Sequence, residues 1–133
     1  MAGIENLEQL LRTIDPILNP KLYVICCLQG KLSEYAHLDP VASCVESEGL
    51  TLILEKQQAD LNAFHYEQIY QKITLSVHSS LQAVGLTAAF SKKLTEHNIS
   101  ANVVAGYYHD HIFVQTEVAE QAIVALKELQ RQN

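Results

Sequence analysis

Residues 73–115, ITLSVHSSLQAVGLTAAFSKKLTEHNISANVVAGYYHDHIFVQ, decide how this chain folds. Ile73, Leu75 and Val77 alternate with Thr74, Ser76 and His78, which is the two-residue period of a half-buried strand. A loop carrying Gly85 follows. Leu86, Ala89, Phe90 and Leu94 then recur at three- and four-residue steps, predicting a helix with one apolar face and Lys92, Lys93 and Glu96 opposite. Asn98 stands just past the last turn, where a left-handed residue closes a helix. Residues 99–108 and 112–115 read as two further strands.

Hydrophobic residues make up 48% of the 133 positions and charged residues 18%, enough apolar surface for a core and too much for wholesale disorder. The net charge of −6, with no basic patch or tail, argues against nucleic acid and anionic membranes as partners. The longest apolar run, residues 22–28, has a strand's length rather than a membrane span's, and no signal peptide is evident. Three cysteines, two of them adjacent, make no disulfide framework. Cys26 and Cys27 would point to opposite faces of a strand, as buried thiols in a reducing cytoplasm.

Upstream, Ile4, Leu7, Leu10, Leu11 and Ile14 share one helical face across residues 4–14, and Asp15-Pro16 stops that helix. Residues 22–28 predict a strand buried on both faces, 29–40 a polar loop, and 41–46 with 50–55 a hairpin about Ser47-Glu48-Gly49. Residues 56–67 read as a linker with one short helical turn. A last helix, residues 117–130, repeats Val118, Ala122, Leu126 and Leu129 on one face, with Thr116 as its N-cap.

The segment AVGLTAAFSKKLTEHNISANVV, residues 83–104, resembles the ACT domains, small ferredoxin-like modules that sense amino acids. In that family a Gly and a branched apolar residue lead into the helix, and a Gly-Ile or Asn-Ile step leads out. Gly85-Leu86 and Asn98-Ile99 stand in those places, with Val84 where the family usually has Pro. The resemblance covers residues 65–131 well and 1–64 in outline, and it extends to the small stand-alone bacterial ACT-like proteins. It implies an α+β, ferredoxin-like antiparallel sheet with helices on one face, in two tandem units. Residues 65–133 would form a complete βαββα unit. Residues 1–64 would form a reduced or rearranged one, since only a loop of a dozen residues separates its first two strands.

A glycine ahead of a helix lets a ligand approach the backbone, and the free N–H groups of the first turn attract a carboxylate. An amino acid offers that carboxylate. By the resemblance Ala83, Val84, Gly85 and Leu86 would line the pocket, Asn102 or Val103 would face it from the next strand, and the Ser80 hydroxyl could bond the ligand. The competing reading is that Gly85 only permits close packing of the loop. If Gly85 does not need positive φ, Gly85→Val abolishes binding and leaves the fold intact.

His109 and His111 form a His-x-His pair that could hold a metal on a strand, but His109-Asp110 also suits the turn between two strands, and the turn is preferred. Glu46, Glu48, Glu55 and Asp60 read as a solvated face, and Cys44 has no basic neighbour to activate it. With no nucleophile elbow, phosphate loop or His-Glu-x-x-His, no catalytic residue, cofactor or metal is expected. The expected function is a non-catalytic regulatory module that binds an amino acid and forms a homodimer. The alternative is a structural or interaction domain that pairs through its sheets without a metabolite.

Overall fold

Asn6 begins the first element of the computed structural model, which describes residues 6–76 and 84–131. Its side chain accepts a hydrogen bond from the Gln9 N–H at 2.9 Å and so caps helix α1, Leu7–Thr13. Leu10, Leu11 and Ile14 are buried as the apolar periodicity requires, while Ile4 lies outside the described residues.

The chain packs as two units, Met1–Asn19 with Lys72–Asn133, and Pro20–Gln71. The expected division between residues 64 and 65 is therefore not the one packing makes. α1 bears its leucines on a core built mostly by the C-terminal half, which draws the opening segment into that unit.

The first unit contains α1, strand β1 (Pro16–Leu18), the end of β5 (Tyr70–Leu75), helix α3 (Leu86–Glu96), strands β6 (Asn102–Ala105) and β7 (Asp110–Gln115), and helix α4 (Ala119–Arg131). β1 was not foreseen. Its three residues pair antiparallel with β5, from Pro16 opposite Leu75 to Leu18 opposite Ile73, too short a run to show alternation. β6 and β7 are antiparallel, from Asn102 opposite Phe113 to Ala105 opposite Asp110. α1, α3 and α4 touch one another and close over a single core that includes Ile73, Leu75, Phe90, Leu94, Ile112 and Leu126.

Residues 116–118 form a 3₁₀ turn leading into α4, so Thr116 is the first residue of that turn and not an N-cap. Lys93, placed on the polar face of α3 by its charge, is only 9% exposed; its stem is buried and its Nζ lies 3.3 Å from Glu96.

The end of α3 follows the expected chemistry. Asn98 has φ of 58°, its N–H bonds the Thr95 carbonyl at 2.9 Å, and the Ile99 N–H bonds the Leu94 carbonyl at 2.9 Å. Those two bonds form a Schellman motif, with Ile99 and Leu94 meeting in the core. Asn98→Val should cost about 1–2 kcal/mol, because a β-branched residue resists the left-handed backbone. Asn98→Gly should leave stability within a few tenths of that of the parent, as read by urea denaturation.

The second unit contains β2 (Tyr23–Leu28), β3 (Ala42–Glu46), β4 (Gly49–Glu55), helix α2 (Lys56–Leu61) and the start of β5. β4 lies between β2 and β3 and is antiparallel to both. Val24, Cys26, Leu50, Leu52 and Leu54 alternate onto one face and pack with Leu38 and Ala59. Two 3₁₀ turns, Leu32–Glu34 and Ala36–Leu38, stand between β2 and β3, so this unit lacks a helix there, as expected.

Two readings of this half are refined. β2 is buried on both faces only at its start, where Tyr23 and Val24 are both covered; further along Cys26 is buried but Cys27 is exposed, as is Cys44. Burial raises the Cys26 thiol above its ordinary pKa. Residues 56–61, where one short helical turn within a linker was expected, form a helix of 6 residues, supported by Lys56 and Asp60, whose charged atoms lie 2.8 Å apart at i, i+4 spacing. No helix among the described residues is long and apolar enough to cross a membrane.

Candidate functional site

Gly85 is the N-cap of α3, with φ of 97° and ψ of −13°. Having no side chain, it offers no acceptor to the first-turn N–H groups, and no acidic residue lies in that turn. Its carbonyl accepts the first helical bond, from the Ala89 N–H at 2.9 Å. The N-terminal end of α3 is thus left without a capping side chain from Gly85 and without a countercharge of its own, which suits an anion.

A Cβ built on Gly85 would lie 3.1 Å from Leu7 Cδ2. The close packing of the competing reading is therefore present, and the left-handed backbone removes the condition under which Gly85→Val would leave the fold intact. The packing partner is helix α1, however, not a neighbouring strand. Sequence reading missed Leu7 because only the tertiary fold brings residues 7 and 85 together.

The flanking side chains diverge. Val84 is 82% exposed and projects into solvent, whereas Leu86 is 4% exposed and belongs to the core. Leu86, expected to line the pocket, packs its side chain into the core. Asn102 spends its side-chain amide on the Phe113 carbonyl, at 3.1 Å, and Val103 is exposed on edge strand β6. Ser80 and Ala83 lie outside the described residues.

The second candidate cluster differs from its expected turn. The loop between β6 and β7 is residues 106–109, closed by the Gly106 N–H on the His109 carbonyl at 2.9 Å, and Asp110 already belongs to β7. Four residues are needed because Ala105 pairs directly with Asp110. Tyr107 and Tyr108 stand exposed at the tip, their rings edge to face with centroids 5.0 Å apart.

Beneath the loop, His111 Nδ1 lies 2.9 Å from Thr74 Oγ1, and a Cβ on Gly106 would come within 3.3 Å of His111 Nε2. One ring nitrogen is therefore engaged by Thr74, and Gly106 lies near the other. Among the described residues no three His, Cys, Asp or Glu side chains gather closely enough to hold a metal ion.

Burial, then Lys72 and His109, lower the pKa of His111 below the usual imidazole value, with Asp110 partly offsetting them. Asp110 is itself raised by burial, against the pull of His111 and His109. Because the folded His111 binds its proton less readily than the unfolded chain, stability should fall as pH drops below the unfolded value of about 6.5. The Asp110 contribution has the opposite sign: it is fully present below about pH 3.9 and is lost as pH rises through the folded value. The His111 ring resonances should titrate with a midpoint below about 6.5, and His111→Gln should remove that part of the acid sensitivity. A midpoint at or above the ordinary value would contradict this geometry.

Residues 2–71 match one family model and residues 69–128 a second, each described as an ACT domain. A protein of unknown function from Vibrio cholerae is 53% identical, with a TM-score of 0.86, covering 97% of this chain and 99% of that one. The regulatory subunit of aspartate kinase from Thermus flavus is 10% identical at a TM-score of 0.64, covering 88% of this chain and 98% of its own. Clostridium acetobutylicum aspartate kinase is 9% identical at a TM-score of 0.63, covering 90% of this chain but 34% of the enzyme. The last two likenesses are of fold alone. No curated protein sequence matches the chain.

Proposed function

As the chain belongs to the ACT-domain family, we propose that it is a non-catalytic regulatory module that binds an amino acid or similar small metabolite. The observation that carries this reading is the start of α3. Gly85 provides no capping side chain, the first turn holds no acid, and Val84 leaves the approach side exposed. A ligand carboxylate would accept hydrogen bonds from the backbone N–H groups at residues 84–86, aligned with the helix dipole. The backbone of Gly85 and Leu86 supplies the donors, Val84 walls the ligand, and Asn102, Val103, Ser80 and Ala83 complete the proposed pocket.

The sequence repeat divides near residues 64–65 in this proposal, with α1 and β1 lent to the core of the C-terminal unit. A homodimer goes with it. β3 is an edge strand of the second unit and β6 of the first, and both carry exposed valines, Val45 at 85% and Val103 at 36%. Unpaired edges of this kind are covered most simply by a second copy of the chain. The same edges would serve a purely structural module, which is the reading to be separated from ligand binding.

A thermal-shift screen of the full chain against the twenty amino acids tests the proposal. An amino acid present at about a hundred times its Kd should stabilise the protein by about 2.7 kcal/mol. No shift with any of them would favour the structural reading. Light scattering at micromolar concentration should show a dimer, and a monomer would count against edge pairing.

A further inference from the structure

We propose that strand β3 is an interaction surface for a second copy of this chain, the two copies pairing antiparallel along β3 about a two-fold axis at Cys44. The interface rests on the homodimer reading above and adds to it the edge, the register and the residue on the axis.

The backbone bonding of β4 decides which groups of β3 are free. The Lys56 N–H donates to the Leu22 carbonyl at 2.9 Å, and β2 and β4 continue in that register, from Tyr23 opposite Glu55 to Leu28 opposite Leu50. Leu50, Leu52 and Leu54 therefore turn their N–H and C=O groups to β2, because alternate residues of a central antiparallel strand serve opposite neighbours. Gly49, Thr51 and Ile53 serve β3, where they pair with Glu46, Cys44 and Ala42. The Ile53 carbonyl is indeed directed at that strand, accepting from the Val41 N–H at 2.7 Å. Ser43 and Val45 are left to direct their backbone groups to the free edge of the unit.

That edge fits its own copy. The segment ASCVE carries no proline or lysine, residues that often blunt an edge strand, and Val45 is 85% exposed. Two antiparallel copies bond only where outward-facing residues meet, which allows an axis at residue 43, 44 or 45. Only the axis at Cys44 pairs all five residues of β3, Ser43 with Val45 and Ala42 with Glu46 of the second copy. It also holds the two Glu46 carboxylates at opposite ends of the paired strands, so like charges do not face each other.

Cys44 then meets its counterpart in a non-hydrogen-bonded pair, with Cα atoms about 4.5 Å apart. A disulfide spans about 4.4–6.8 Å between Cα atoms, so the two thiols can be joined. Within one copy they have no such partner. Cys27 and Cys44 are both exposed and flank Thr51 in line across β2, β4 and β3, about 9.5 Å apart, which is too far for a bond. A disulfide through Cys44 therefore marks the second copy.

The test is oxidation of the full chain by diamide, read on non-reducing gels and by mass spectrometry of the linked peptides. Two facing thiols give up two protons and two electrons as the S–S bond forms, and the azo group of diamide takes them up to become a hydrazine. The parent chain and Cys27→Ser should give a dimer linked from Cys44 to Cys44, and Cys44→Ser should give none. In a chain carrying Cys27→Ser and Cys44→Ser, a single Ser43→Cys or Val45→Cys should link at least tenfold more slowly, because neither position faces itself. Linking at 43 or 45 as fast as at 44 would overturn the register. A dimer by light scattering that does not link through Cys44 would overturn the β3 interface and leave the homodimer reading standing. A monomer by light scattering would overturn both.

Discussion

Gly85→Val should lower the stability of the apo protein by about 2–3 kcal/mol, as well as blocking any ligand at the start of α3. Two causes add. Valine has almost no access to a φ of 97°, and its Cβ would stand 3.1 Å from Leu7 Cδ2. Leu7 can yield somewhat, because the contact is with the far end of a flexible side chain, so backbone strain is the larger part. In a chain of 133 residues that loss corresponds to a fall of roughly 8–12 °C in melting temperature. The valine variant therefore cannot by itself distinguish a ligand site from a packing site.

Gly85→Asn separates the two roles, since Asn tolerates left-handed backbone while still placing a side chain before the first-turn N–H groups. It should keep most of the apo melting temperature and lose affinity for the amino acid identified by thermal shift. Calorimetry gives the affinity, and thermal melting of the apo protein gives the stability. Unchanged affinity in the Asn variant would make Gly85 a packing residue only.

Phe90→Ala should have the larger effect, a loss of about 3–5 kcal/mol. Phe90 is fully buried in the core of the first unit, where α3 faces β5, β7 and α4. The cost combines lost transfer energy with a cavity that three helices and a sheet cannot readily collapse to fill. Out of a total of about 5–15 kcal/mol, that is enough to leave the unit marginal at best. On the outer side of α4, Val124 is 53% exposed, and Val124→Ala should change stability by no more than about 0.5 kcal/mol. Guanidinium denaturation followed by circular dichroism compares the two, and near-equal losses would mean that α3 does not pack as described.

The periodicities of residues 73–115 by themselves determined a strand, a helix and a hairpin, because apolar spacing reports which face of an element is buried whatever covers it. Asn98 was legible for a similar local reason: ending a helix in left-handed backbone is decided by the residue and its immediate neighbours. Gly85 was legible as a special position, but its φ and its contact with Leu7 were not. A glycine says only that a side chain is unwelcome; what excludes it arrives from 78 residues away.

Tertiary structure alone decided that α1 and β1 join the C-terminal unit, because an amphipathic helix carries no mark of which core it will cover. It also decided that Leu86 turns inward while Val84 turns out, that Cys27 is exposed, and that Thr74 and Gly106 enclose His111.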